Sequence, residues 1–128
     1  MTQNKIYILD DNRAVCDSLN YLFDAVYHVP VEIYYDPLDF LAAYSLDWKG
    51  CLFIDLCLPH MDGIEVLHEL KQRQNKIPCI FITGHGDLAA KEQALKNGAY
   101  AFLTKPFKID DINNILKVLI LDTNTVSI

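Results

Sequence analysis

Five short apolar runs, separated by segments of helical periodicity, constrain this chain more than any other feature. The runs are "KIYIL" (5–9), "VEIYY" (31–35), "CLFI" (51–54), "CIFIT" (79–83) and "YAFLT" (100–104). Four of them are nearly continuous in apolar residues, the pattern of strands covered on both faces. Between the first two, Val15, Leu19, Leu22, Phe23 and Val26 keep the spacing of one helix face. After the last run, Ile109, Ile112, Ile115, Leu116 and Leu119 do the same. Pro37 opens "PLDFLAAYSL" and suits a first helical turn. Asp62 before "GIEVLHELKQR" and Asp87 before "LAAKEQALKNG" are candidate N-caps, and Asn97-Gly98 is a stop signal. A strand–helix unit repeated five times predicts an α/β fold: a parallel sheet with helices on both faces and right-handed crossovers. Alternation leaves strand order open, and a Rossmann-like sheet reads much the same. In either case ligand chemistry gathers beyond the carboxyl ends of the strands.

Composition narrows the class. At 128 residues, 52% hydrophobic and 22% charged, the chain is read as one globular domain able to close a core without staples. No apolar run approaches the ~20 residues that cross a bilayer. "MTQNKIYIL" enters an apolar segment without a basic stretch or cleavage site, which predicts a cytoplasmic protein. The formal net charge of -6, without any basic run, argues against direct binding of nucleic acid. Cys16, Cys51, Cys57 and Cys79 form neither a C-x-x-C pair nor a zinc-like spacing. Three of the four lie in or against apolar runs and read as reduced core thiols.

The residues at the strand ends make a compact set. The first run ends in Asp10 and Asp11, the third in Asp55, the fourth in Thr83 beside Gly84, and the fifth in Thr104-Lys105-Pro106. A parallel sheet brings all of them to one edge. An aspartate closing an apolar strand is costly unless its charge is needed there. Three carboxylates so close raise one another's pKa unless a cation neutralises them. A hard, oxygen-seeking ion such as Mg²⁺ fits that demand, with Lys105 able to bind a phosphate oxygen. The chemistry open to such a site is phosphoryl transfer to a carboxylate, giving an acyl phosphate.

The motifs "ILDDN", "IDLCLPHMDG", "ITGHGD" and "NGAYAFLTKPF" resemble those of the receiver domain of bacterial two-component response regulators, over about residues 5–121. The last two most resemble receivers that precede DNA-binding modules in transcriptional regulators of the nitrogen-fixation and dicarboxylate-transport type. The resemblance implies a flavodoxin-like (βα)5 three-layer sandwich with parallel strand order 2-1-3-4-5. It assigns Asp55 as the phosphorylated residue, with Thr83 and Lys105 gripping the phosphoryl group. Asp11 becomes the direct Mg²⁺ ligand with Asp55, Asp10 acts largely through water, and the Cys57 backbone carbonyl completes the protein ligands. Thr83 and Phe102 become the switch pair, and the Lys105-Pro106 bond is expected to be cis. A histidine kinase is the implied phosphate donor. The face made by the fourth helix, fifth strand and fifth helix is the implied output, controlling a homodimer or an effector without membrane contact. On this reading 1–121 is the receiver and 122–128 a polar tail, or the start of a linker to an effector outside this chain. The domain is then not an enzyme but a signalling switch that catalyses its own phosphorylation and dephosphorylation.

Each residue has a plainer explanation when taken alone. Asp10-Asp11-Asn12 would be a solvated turn and helix cap, Asp55 a capped turn before Pro59, and Phe102 a core residue. Asp62-Gly63 reads as structural, a cap beside a close approach. His60 and His85 read as exposed loop histidines, since Mg²⁺ prefers oxygen. Competing functions are a stand-alone receiver acting by protein–protein contact, a degenerate receiver that only binds, and an aspartate-dependent phosphatase. The last is disfavoured by adjacent Asp10 and Asp11, which strand alternation would place on opposite sides. Cys57 in this loop is an unusual choice and a candidate for oxidation.

Overall fold

The computed structural model describes residues 4–84, 88–117 and 119. Five strands, β1 (Asn4–Leu9), β2 (Val31–Tyr34), β3 (Lys49–Asp55), β4 (Cys79–Thr83) and β5 (Ala101–Thr104), alternate with helices. The helices are α1 (Arg13–Leu22), α2 (Pro37–Ala43), α3 (Gly63–Gln72), α4 (Leu88–Lys96) and α5 (Ile109–Leu116). All strands pair in parallel, in the order β2-β1-β3-β4-β5. This is the flavodoxin-like topology, and its order reverses between β1 and β3, where ligands of such sheets bind.

The apolar runs are continuous because the sheet has a core on each side. Ile6, Ile8, Cys51, Phe53, Ile80 and Ile82 point to one face and pack under α1 and α5. Tyr7, Leu9, Leu52, Ile54, Cys79 and Phe81 point to the other, under α2, α3 and α4. Each fully buried side chain of this size contributes about 1.5–3 kcal/mol, so the carboxyl ends of β1, β3 and β4 stand on a densely buried part of the sheet. Cys16, Cys51 and Cys79 are buried free thiols, as expected, and Cys57 is exposed. Among the described residues no helix is long and apolar enough to cross a membrane.

Helix starts follow their signals. Asp36 caps α2 with Pro37 in its first turn, and Asp62 caps α3 in a reciprocal box with Glu65. Gly98, at φ +99°, takes the left-handed turn that ends α4. Asp87, His85 and the tail 122–128 lie outside the described residues.

Three local readings shift. The periodicity from Val15 predicts Val26 on the core face, yet Val26 is exposed and Tyr27 packs against the core instead. The cause is a π-helical turn at Phe23–Tyr27, whose wider spacing carries the inward face one residue further. Ile109 is exposed because it opens α5 before the helix settles onto the sheet. Tyr35 and Tyr100 fall just outside their strands.

Candidate functional site

Asp10 follows the last residue of β1, where its N–H still completes the ladder by donating to the Tyr34 carbonyl at 3.1 Å. Its side chain is fully buried. The Asn12 N–H donates to Asp10 Oδ1 at 2.9 Å. Asp10 Oδ2 is buried with no hydrogen-bond partner among the described residues. Asp11 beside it is exposed. Asp55 ends β3 and is 7% exposed. Its Oδ1 accepts from the Cys57 N–H at 3.1 Å, turning the chain sharply after the strand.

Lys105 joins the two buried carboxylates. Its Nζ lies 3.7 Å from Asp10 Oδ2 and 3.6 Å from Asp55 Oδ2. Backbone bonds at the ladder ends hold these parts in place: Lys105 N–H donates to the Thr83 carbonyl at 2.8 Å, and Leu56 N–H to the Ile82 carbonyl at 3.2 Å. The Lys105-Pro106 peptide is cis, as the resemblance implied. Thr83, the last residue of β4, is buried. A Cβ built on Gly84 would meet no described atom within 4 Å, which leaves room beside it. An open cavity of about 690 Å³ lies between this edge and α4, with Asp55, Cys57, Thr83, Gly84, Ala90 and Gln93 among its lining.

Asp10, Asp11 and Asp55 each offer a carboxylate oxygen, and the three lie within 4.8 Å of one another. Among the described residues, Lys105 is the cation paired with this cluster. Burial is the largest cause raising the Asp10 pKa, to about 6, and the neighbouring Asp55 charge adds to it. The Asn12 N–H and Lys105 pull the other way without cancelling burial. A crowded set of carboxylate oxygens, one of them buried without a hydrogen bond, is the kind of donor set a hard divalent cation takes. The chain's own residues therefore fit such an ion.

The two adjacent carboxylates depart from the expected strand geometry. Asp10 and Asp11 were expected on opposite sides by strand alternation, but β1 ends at Leu9. Both belong to the turn that follows, and both carboxylates reach the cluster. Adjacency therefore does not disfavour a phosphatase-like nucleophile on β1. Asp55 is set apart instead by the cavity, whose lining includes Asp55 and neither Asp10 nor Asp11.

Phe102 is half-buried on β5, its ring 6.2 Å from that of Phe81. His60 is exposed, as expected, but not idle: its Nδ1 lies 3.0 Å from Asp36 Oδ2. Sequence reasoning gave that pair no role. The only available signal was that both residues sit in loops at the carboxyl edge of the sheet.

Fold and site together define a flavodoxin-like α/β domain with a cluster of three carboxylates at its topological switch point. The chain belongs to the response regulator receiver domain family, which matches residues 6–117. It is 38% identical over 116 residues to the transcriptional regulatory protein FixJ of Bradyrhizobium diazoefficiens, covering 91% of this chain and 56% of FixJ. It is 33% identical over 129 aligned positions to the C4-dicarboxylate transport transcriptional regulatory protein DctD of Pseudomonas aeruginosa, covering 96% of this chain and 28% of DctD. The solved structure of the response regulator StyR matches with a TM-score of 0.85 at 30% identity, over 98% of this chain and 64% of StyR. These relatives are of the kind the motifs resembled. The chain spans about half the length of the first curated relatives it matches, 56% of FixJ and 47% of TodT from Pseudomonas putida.

Proposed function

We propose that this domain is a phosphorylation-driven switch in which Asp55 accepts a phosphoryl group from a histidine kinase. The observation that carries the reading is the meeting of Asp55, Asp10, Asp11 and Lys105 at one strand edge beside an open cavity. Asp11, Asp55 and the Cys57 carbonyl would hold Mg²⁺, with Asp10 acting through water. When bound, the ion neutralises the carboxylates and draws charge from the transferring oxygens.

The remaining work falls to the chain. An Asp55 carboxylate oxygen forms the new P–O bond as the donor's P–N bond breaks, and the electron pair leaves with the imidazole. The carboxylate already carries a free pair, so no general base is needed. Lys105 Nζ and the Thr83 hydroxyl bind oxygens of the transferred group. Thr83 moves towards the phosphoryl group, and Phe102 turns into the space it leaves. Support for this coupling is positional: Thr83 pairs with Thr104, and Phe81 with Phe102, on adjoining strands.

The output is the face of α4, β5 and α5. Leu88, Leu95, Tyr100 and Ile109 are large apolar residues exposed on these elements and the turn before β5. Exposed apolar side chains on these elements suit a phosphorylation-dependent homodimer. The effector is a DNA-binding domain in the full-length protein, in keeping with the transcriptional regulators it resembles.

Incubation with acetyl phosphate and Mg²⁺ followed by intact-mass measurement tests the reading. The expected result is one added phosphoryl group, absent without the metal and absent in Asp55→Asn. Equal incorporation in Asp55→Asn would refute the assignment.

A further inference from the structure

The loop between β3 and α3 carries a local conformation that its neighbours do not explain. His60 has φ +67°, a left-handed backbone uncommon outside glycine and asparagine. The Met61 N–H donates to the Pro59 carbonyl at 2.7 Å, so His60 sits at the centre of the rarer, positive-φ kind of γ-turn. Strain of this sort persists only where surrounding contacts hold it.

The contact is Asp36. Its Oδ1 caps α2 by accepting from Leu38 N–H at 2.7 Å, which leaves Oδ2 to face His60. A carboxylate only accepts, so His60 Nδ1 is the donor of the 3.0 Å bond, whichever charge the ring carries. Among the described residues this is the one polar side-chain contact that ties 57–62 to an element other than its own strand and helix. It also crosses the switch point, because β1, with Asp10 and Asp11 at its end, lies between β2 and β3. The tied segment begins at Cys57, whose N–H orients Asp55.

We infer that His60 is a positioning residue of the site. Through Asp36 it straps the β3–α3 loop across the switch point, holding Cys57 and the Asp55 carboxylate in the geometry that binds the metal. This rests on the Mg²⁺ reading above. Without the bond the loop is no longer tied to the start of α2, and the Cys57 carbonyl is free to move with it.

Isothermal titration of Mg²⁺ into the parent and four variants separates the possibilities. His60→Gly keeps the left-handed backbone and removes the donor. It is expected to bind Mg²⁺ about three- to tenfold more weakly, the worth of one hydrogen bond, with its melting temperature unchanged. His60→Asn tolerates the same backbone and places its amide nitrogen where Nδ1 was, so it restores the parent affinity. Asp36→Ser retains a cap for α2 but is too short to reach His60, and it weakens binding as His60→Gly does. Combining His60→Gly with Asp36→Ser adds no further loss. The strap is overturned if His60→Gly binds like the parent, if His60→Asn is as weak as His60→Gly, or if the two losses add. A purely structural role would lower the melting temperature and leave Mg²⁺ affinity alone. A parent that binds no Mg²⁺ overturns the metal reading itself and the strap with it.

Discussion

Asp10→Asn should make the metal-free domain more stable at neutral pH while weakening its response to Mg²⁺. The Asp10 carboxyl is buried, and its pKa rises from the ordinary 3.8 to about 6. A raised pKa means that the native state holds the proton more tightly than the unfolded chain does. Stability therefore falls as pH rises through the interval from 3.8 to about 6, and the full penalty is present above it. A shift of that size corresponds to roughly 1–3 kcal/mol. Asparagine keeps an acceptor for the Asn12 N–H and removes the desolvated charge. Urea unfolding at neutral pH should place the variant above the parent by about that amount, with the gap closing as pH falls to about 4. Adding Mg²⁺ should raise the parent by ligand linkage and raise the variant by less. A variant less stable than the parent at neutral pH would mean that the site carries no electrostatic strain.

Gly63→Ala should cost several kcal/mol and damage the site along with the fold. A Cβ at this position would lie 2.7 Å from the Asp55 carbonyl oxygen, 2.8 Å from Phe81 Cε1 and 3.0 Å from Leu56 Cα. Two of these are backbone atoms at the end of β3, and Gly63 N–H itself donates to the Leu56 carbonyl at 3.0 Å. α3 must therefore retreat from the strand that presents Asp55. Overpacking at rigid contacts costs about 1–3 kcal/mol, occasionally more, and here it also strains the bond that closes the loop. We expect a loss of about 2–4 kcal/mol in chemical denaturation, together with much slower phosphorylation by acetyl phosphate in the protein that remains folded. A variant as stable and as reactive as the parent would show that the approach of α3 does not set the position of Asp55.

These two residues also show how much of the molecule was legible beforehand. The strands could be read because a sheet covered on both faces needs unbroken apolar runs, and such runs are rare in 128 residues. Asp55, Thr83 and Lys105 could be placed at the strand edge because they close those runs or follow them directly. Gly63 was read as a close approach from its place after Asp62, and the contacts bear that out. Strand order was open to periodicity and came only from the resemblance, since crossover direction leaves no local mark.

What could not be read are features set by tertiary context. The π-helical turn at Phe23–Tyr27 has no composition of its own, so Val26 was placed inward when it faces solvent. Asp10 and Asp11 were given strand geometry one residue past the strand's end. The bond between His60 and Asp36 spans 24 positions and depends on two loops meeting over a third strand. Nothing in either segment by itself indicates that meeting.

The central claim is that side chains from separate loops assemble one site for a divalent ion and a phosphoryl group on Asp55. A crystal structure grown with Mg²⁺ and beryllofluoride tests it most directly. The account predicts beryllium bonded to an Asp55 carboxylate oxygen, its fluorines within reach of Thr83 and Lys105, and the ion held by Asp11, Asp55 and the Cys57 carbonyl. Beryllofluoride on any other residue, or a Mg²⁺ ion bound away from these three, would contradict it.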